Sequence, residues 1–302
     1  MKRFSRLLLD TMETDSRVVV LDADLSRSSG SAAVADRWPD RFVNTGIAEQ
    51  NTMGVAAGMA LLGLRPIVHT FAAFATMRAC EQIRTSIAYQ QLNVTICASK
   101  GGLAASRSGP THHATEDLAI MRAIPGMTVL APRDFRDLTA SFPEVLDLPG
   151  PVYIRMPPEQ EPDDLTGSVP SIGAGVVLQK GADVVLAFTG SMTRTVRQSA
   201  ERLSAKGLDV GIIYLPSVKP LDDGLIEQCA RTARLVVTVE EHNVIGGLGS
   251  AVAEVLSARR SAPLLRLGVE DRFCYASGTH EEMLDAYCVS VEELVQQVME
   301  RC

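Results

Sequence analysis

Residues 42–58, FVNTGIAEQNTMGVAAG, decide how the first half of the chain folds. Phe42, Val43 and Asn44 form a short strand-like run, and Thr45-Gly46 turns the chain. Met53, Gly54, Val55, Ala56, Ala57 and Gly58 then continue as an apolar, small-residue helix. Strand, tight turn and helix in that order make the repeating unit of a parallel α/β sheet. One acid, Glu49, stands at the helix start. The helix dipole favours an acid there for purely structural reasons. A carboxylate in such apolar surroundings is also costly to bury unless something donates to it. Placed that way, it can share a proton with a ring nitrogen of a ligand.

Outward from this unit the same alternation repeats. Strand-like runs fall at residues 18–21, 42–44, 66–69, 94–98, 128–130 and 152–155, with helical patterns between most of them. Such runs imply a mostly parallel sheet covered on both faces. From residue 156 to 173 the sequence MPPEQEPDDLTGSVPSIG is rich in proline and acid and has no periodicity, so it reads as a linker. A second alternating series follows, with strands at 184–188, 210–213, 235–239 and 264–267. Helices are expected at 193–206, 222–232, 247–258 and 291–301, and Ser191 or Thr193 is a candidate cap for the first of them. The division is a first domain over 1–158, a linker over 159–173 and a second domain over 174–302. The fold class is two consecutive α/β domains with mostly parallel sheets.

Composition sets the bounds. The 302 residues are 46% hydrophobic and 22% charged, and the formal net charge is −7. Two soluble globular domains fit that size. The acidic balance, with no basic run, argues against nucleic acid as a partner. No apolar stretch approaches the roughly 18 residues of a membrane helix, so no membrane partner is expected. The start, MKRFSRLLLDTMETDS, reads as an amphipathic helix rather than a leader. Six cysteines, at 80, 97, 229, 274, 288 and 302, show no CxxC pattern and read as reduced residues of a cytoplasmic protein.

Several polar residues stand out. His69-Thr-Phe71-Ala-Ala-Phe74 sets two aromatics three apart, and Met77, Arg78, Glu81 and Arg84 continue at helical spacing. Two aromatics so placed are more often core than ligand platform. Asp24, in DADLS, follows a buried strand, which is where open parallel sheets contact ligands; a helix cap is its structural alternative. Ser108-Gly109-Pro110-Thr111-His112-His113 brings two histidines to a Gly-Pro turn. Glu240-Glu241-His242 and the glycines of Gly246-Gly247-Leu248-Gly249 read as a polar turn opening a helix, able to hold a phosphate on backbone amides.

The ordered set DADLS, GIAEQN, FAAF, GPTHH, RAIPGM and EEHNVIGGLGSAV resembles the pyrimidine-binding half of the thiamine-diphosphate enzymes of the transketolase family. The resemblance runs over nearly the whole chain and implies ketol transfer from a ketose, or ketose phosphate, to an aldose. It implies that Glu49 bonds the aminopyrimidine ring of thiamine diphosphate and activates it. It assigns Phe71 and Phe74 to the ring's aromatic surroundings, with Met77 where the family often has tyrosine. Asp24 would lie near the thiazolium ring. Ser28 and Arg155 match phosphate contacts, and Lys100 stands in the place of a family histidine. His112 matches the histidine that faces the substrate hydroxyls. Ser108 replaces a family aspartate that reads a hydroxyl beside the reacting carbonyl. An arginine expected in the first helix falls about where the chain starts, and Arg3 is out of register for it. The second domain, by resemblance, mainly supports the dimer and has no catalytic part.

The family holds its divalent metal, Mg2+ or Ca2+, on a Gly-Asp-Gly followed further on by an asparagine, in a separate domain. No GDG occurs here; Asp222-Asp223-Gly224 is the nearest string. With ~100 to 200 residues per domain, a full transketolase also needs about twice this length. The resemblance therefore implies the C-terminal subunit of a split transketolase, with the metal and diphosphate held by an N-terminal partner subunit in an α2β2 heterotetramer. The alternatives are the beta subunit of a 2-oxoacid dehydrogenase, a carboligase like deoxyxylulose-phosphate synthase, and a non-catalytic assembly subunit.

Overall fold

A computed structural model describes residues 2–159, 169–258, 262–287 and 290–302. Most of the expected linker and Cys288 therefore lie outside the described residues.

The first sheet takes its strands from Val18–Asp22 (β1), Phe42–Asn44 (β2), Arg65–Phe71 (β3), Thr95–Ser99 (β4), Thr128–Leu130 (β5) and Val152–Arg155 (β6). The second takes Val176–Gln179 (β7), Val184–Phe188 (β8), Val210–Tyr214 (β9), Leu235–Asn243 (β11) and Leu264–Val269 (β12). Ser217–Lys219 (β10) lies in the second half of the sequence yet joins the first sheet, antiparallel to β5. The sheet orders are β10-β5-β6-β4-β3-β1-β2 and β12-β11-β8-β9-β7. All other pairings are parallel except β7 with β9. Strands β7 and β10 escape the pattern reading because each is a short edge strand with little apolar periodicity.

The first-half helices are Arg3–Thr14 (α1), Ser26–Ser29 (α2), Ala32–Arg37 (α3), Glu49–Leu61 (α4), Cys80–Gln82 (α5), Asp117–Ala123 (α6) and Phe135–Asp147 (α7). The second half adds Thr193–Ala205 (α8), Asp223–Thr232 (α9), Leu248–Ser257 (α10), His280–Tyr287 (α11) and Val291–Met299 (α12). The amphipathic reading of the chain start is met by α1, which buries Phe4, Leu7, Leu8 and Met12 on one stripe. Each such side chain stabilises the fold by about 1.5–3 kcal/mol when fully buried. Strands β1, β8 and β9 are buried at every position, as expected of strands covered on both faces. Each sheet accordingly has an apolar cluster on either side.

Three expectations in the second half are corrected. Helix α8 begins after Met192, with no side-chain cap: Ser191 Oγ donates to Glu241 instead, and Thr193 is buried. Glu240, Glu241 and His242 are not a turn but the buried end of β11. The amides of Leu248 and Gly249, read as a phosphate cradle, donate to the Glu240 carboxylate at 2.6 and 2.7 Å. An internal acid thus occupies the helix terminus where an external anion was expected.

Candidate functional site

The C-terminal ends of β1, β3 and β4 gather the polar residues of the first domain, as an open parallel sheet requires. Glu49 opens α4 directly after the turn that follows β2, and its residue is only 1% exposed. A buried charge needs a partner. Arg78 Nη1 donates to Glu49 Oε2 at 2.6 Å, with Thr70 Oγ1 at 3.5 Å from Oε1. The same guanidinium lies over the Phe74 ring, 4.2 Å from its centroid.

Phe71 and Phe74 stand together, centroids 6.0 Å apart, and His112 packs edge-on against both, at 6.1 and 5.1 Å. Thr111 Oγ1 lies 2.9 Å from His112 Nδ1 and fixes the imidazole plane. His113 turns inward, 3.3 Å from the Ser106 carbonyl. The chain from Phe74 to Arg78 and from Ile83 to Ala88 is π-helical, a distortion that recurs at functional sites. That winding brings Phe74 and Arg78 to the same side of Glu49. A cavity of about 420 Å3 opens beside them, lined by Phe74, Met77, Arg78, Thr111 and residues of the second half including Phe273.

Other predicted residues are placed less simply. Asp24 is exposed, in the left-handed region (φ 64°), and accepts from Asn44 Nδ2 at 3.1 Å. The acid at the end of β1 that does face inward is Asp22. It accepts from Leu25 N, from Ser31 Oγ at 2.8 Å, and lies 3.2 Å from His69 Nδ1. His69 Nε2 in turn lies 3.1 Å from Ser99 Oγ, which faces a second cavity. This relay has a parity signal: Asp22 alternates with Val20 on a strand, whereas Asp24 falls after the strand has ended. Ser28 is exposed and donates to the Leu25 carbonyl at 2.8 Å. Ser108 is exposed in a single 3-10 turn, Ser106–Ser108.

Arg155 differs most from its expected role. Its fork is closed on Asp117, with Nε 2.9 Å from Oδ2 and Nη2 on Oδ1, while Nη1 donates to the Glu241 carbonyl at 2.8 Å. Tyr153 Oη also donates to Asp117, at 2.7 Å. Burial opposes ionisation of Asp117, but the Arg155 charge and these hydrogen bonds hold its carboxyl below the usual range. Arg155 is therefore tied between the two domains rather than presented as an open fork.

The second cavity, about 390 Å3, lies between the domains. Phe71, His69, Ser99 and Lys100 of the first domain and Ser191 and His280 of the second line it. Glu241 is the hub of its far wall. Its Oε1 accepts from Leu103 N at 2.6 Å and lies 2.8 Å from His280 Nε2, and its Oε2 accepts from Ser191 Oγ at 2.7 Å. Sequence reading gave no site role to Asp22, Arg78, Glu241 or His280, whose partners come from distant segments.

The residues around Glu49 fit an aminopyrimidine. Arg78 shows what the pocket accepts: a planar group that lies on Phe74 and donates N–H to a buried carboxylate. Among the described residues, no group of three or more His, Cys, Asp or Glu is arranged to hold a metal ion. No described helix is long and apolar enough to cross a membrane.

Comparison with known proteins agrees with this two-domain fold. Residues 2–161 match the model of the transketolase pyrimidine binding domain, and residues 173–294 match that of the transketolase C-terminal domain. The 6-deoxy-6-sulfo-D-fructose transketolase subunit SqwH of Clostridium sp. (strain MSTE9) is 39% identical over 301 residues, covering 97% of this chain and 91% of that one. A solved split-gene transketolase, described as an inactive beta4 tetramer, superposes with a TM-score of 0.85 at 39% identity, over 99% of this chain and 96% of the other. The 1-deoxy-D-xylulose-5-phosphate synthase 1 of Geobacter metallireducens is 37% identical over 272 residues, covering 88% of this chain but 43% of its own length. With both domains matched end to end and close relatives of the same length, the chain belongs to the transketolase family and carries its pyrimidine-binding and C-terminal domains.

Proposed function

We propose that this chain is the pyrimidine-side subunit of a two-chain, thiamine-diphosphate-dependent transketolase, moving a two-carbon ketol unit from an anionic ketose to an aldose. The observation that carries the reading is the buried Glu49 carboxylate, joined through Arg78 to the Phe74 ring on which Phe71 and His112 pack. When bound, thiamine diphosphate would supply a nucleophilic carbon and an electron sink for the transferred unit. Glu49 would accept a hydrogen bond from the pyrimidine ring, holding a proton at one fixed atom in a dry setting. Phe71 and Phe74 would hold the ring's plane, and Arg78 would leave Glu49 to make room. His112, fixed by Thr111, would donate to or accept from a substrate hydroxyl. Asp24, near the mouth of the β1 end, would border the thiazolium side.

For the substrate, Ser28 and Lys100, which line the interdomain cavity, and Ser108, which ends the 3-10 turn Ser106–Ser108, would contact it, and Arg155 would act by holding the two domains together around it. The metal, Mg2+ or Ca2+, and the diphosphate would be held by a separate N-terminal subunit, in an α2β2 assembly in the cytoplasm. The deciding experiment mixes the purified chain with such a subunit, thiamine diphosphate and magnesium, and follows ketol transfer from a panel of donors. The panel includes a sulfonated ketose, since the Clostridium relative is named for one. Ketol transfer supports the reading; oxo-acid-dependent dye reduction without ketol transfer would replace it with the oxoacid-dehydrogenase alternative.

A further inference from the structure

The interdomain cavity has a charge pattern that the pyrimidine-binding domain alone does not explain. Of its cations, Arg155 is already closed on Asp117, and the Lys2 ammonium donates to the Ser28 carbonyl. Of its anions, Glu241 is already saturated by Leu103, Ser191 and His280, and Glu159 accepts from the Arg3 amide at 3.4 Å. Lys100 and His280 remain, one from each domain, facing the same space of about 390 Å3.

Local geometry forces the two together. Lys100 directly follows β4 and sits in the left-handed region (φ 60°), a conformation costly for a lysine. Gly101 and Gly102 follow. A Cβ on Gly101 would stand 2.5 Å from the Arg155 side chain, and one on Gly102 2.6 Å from Glu241. Only glycines permit so close an approach, and at Gly102 it presses the loop after β4 against the second domain. His280 is the first residue of α11, and Nε2 is spent on Glu241. Burial disfavours its charge, but the Glu241 carboxylate more than offsets this, so the imidazole keeps its proton above the ordinary histidine range, while Lys100 opposes it. A protonated ring has a second N–H to offer. An anion between Lys100 and His280 would relieve their mutual repulsion and accept from both.

We propose that His280 of the C-terminal domain and Lys100 together hold the tetrahedral oxyanion at the far end of the sugar substrate, making the second domain part of the substrate site. Phe71, Lys100 and His280 line the same cavity, so the pyrimidine platform and this pair share one space for a ligand. The shared chemistry is a phosphate ester or a sulfonate. The inference rests on the transketolase reading for the identity of the sugar, but not for binding of the anion.

Two measurements keep those apart. First, inorganic phosphate and methanesulfonate are titrated separately into the chain, following the histidine ring resonances by NMR, with His280 assigned by loss in His280→Gln. Millimolar binding that shifts His280 is expected, and it should weaken by roughly ten-fold in His280→Gln and in Lys100→Met, as suits loss of a charge-assisted hydrogen bond. Preference for one anion over the other distinguishes phosphate from sulfonate substrates. Second, in the reconstituted two-chain enzyme, the ratio of kcat/KM for fructose 6-phosphate to that for uncharged erythrulose should fall by a similar factor in both variants. Lys100→Met lies outside the Glu241 hub, so it tests the cradle even if His280→Gln loosens the domains. No phosphate binding by the wild type, or unchanged binding in both variants, overturns the proposal; weakening in Lys100→Met alone removes His280 from it. If no donor supports ketol transfer, the functional reading fails while the titration still decides the anion site.

Discussion

At the scale of single residues, Glu49 is the sharpest test. It is buried, opens α4, and is matched by a side chain that can swing away, because Arg78 is 43% exposed at its side chain. Glu49→Gln keeps shape and burial but removes the negative charge. In the reconstituted enzyme we expect turnover to fall by about 10²- to 10⁴-fold, the usual effect of losing a general acid or base, with a smaller loss of cofactor affinity. Rates within a few-fold of wild type would reduce Glu49 to a helix-start residue. Ser108 makes a second residue-scale prediction. Its hydroxyl is short, neutral and exposed, where the family has an aspartate. A carboxylate makes charge-assisted bonds to sugar hydroxyls about twice as strong as neutral ones. Ser108→Asp should therefore shift the ranking of kcat/KM across a donor panel toward common pentose phosphates; an unchanged ranking would show that Ser108 does not read the substrate. Glu49, Phe71, Phe74 and His112 were legible in sequence because each sits in a short ordered motif. Asp22 was eclipsed by Asp24, two positions on, because composition cannot say where a strand ends. Arg155 was legible as a cation near the site but not as a closed one, since Asp117 lies 38 residues away.

Among the elements, β11 concentrates the consequences of burying charge. Its last residues divide their partners: Glu240 is held by α10 of its own domain, while Glu241 and His242 meet the first domain, at Leu103 and at Ala119 of α6. The run reads as a turn because charged residues are rarely buried without partners, and the partners here are the amides of Leu248, Gly249 and Leu103 and the side chains of Ser191 and His280. Burial pushes the Glu240 carboxyl up to about 7, against the pull of the Gly249 and Leu248 amides. Burial lowers His242 to about 4. Glu241 lies below its ordinary value and His280 above its own. Each sign is fixed by linkage. His280, raised when folded, stabilises below about 6.5 and loses that contribution as pH rises through its folded value. Glu240 binds a proton in the folded chain that the unfolded one releases above 4.5, so it too lowers stability as pH rises toward about 7. His242 and Glu241 act oppositely, stabilising as pH rises out of the acid range. The melting temperature should thus be highest between about pH 4.5 and 6.5 and decline on both sides. Thermal melts across pH check this, and His280→Gln should flatten the alkaline decline. A melting temperature that rises steadily from pH 6 to 8 would contradict the assignment.

For the whole molecule, the arrangement of the site says what must complete it. The pyrimidine platform is closed on its inner side by α4, β3 and the turn carrying His112, yet its outer edge is open: Met77 is 49% exposed and Phe273 66%. Transketolase chemistry needs a dry, closed site, because water competes for reactive intermediates and weakens every polar contact. The sequence also lacks the Gly-Asp-Gly string with which the family holds its metal. The surface beside Phe74, Met77 and Phe273 is therefore where a diphosphate-binding subunit would close over the cofactor. We expect the purified chain with thiamine diphosphate and magnesium to show no ketol transfer, and activity to appear when a partner with that string is added. Activity should saturate at one partner per chain, because each pyrimidine platform requires its own cover. Titration of partner against a fixed amount of this chain, read as initial rate, gives the stoichiometry, and light scattering at the equivalence point gives the assembly mass. Met77→Lys would place a charge on the open edge without touching Glu49 or the interdomain cavity. It should raise the partner concentration needed for half-maximal activity, measured at saturating thiamine diphosphate because Met77 also lines the cavity beside Phe74 and Arg78. Turnover by the single chain, or a titration curve that Met77→Lys leaves unmoved, would mean that the site is completed in some other way.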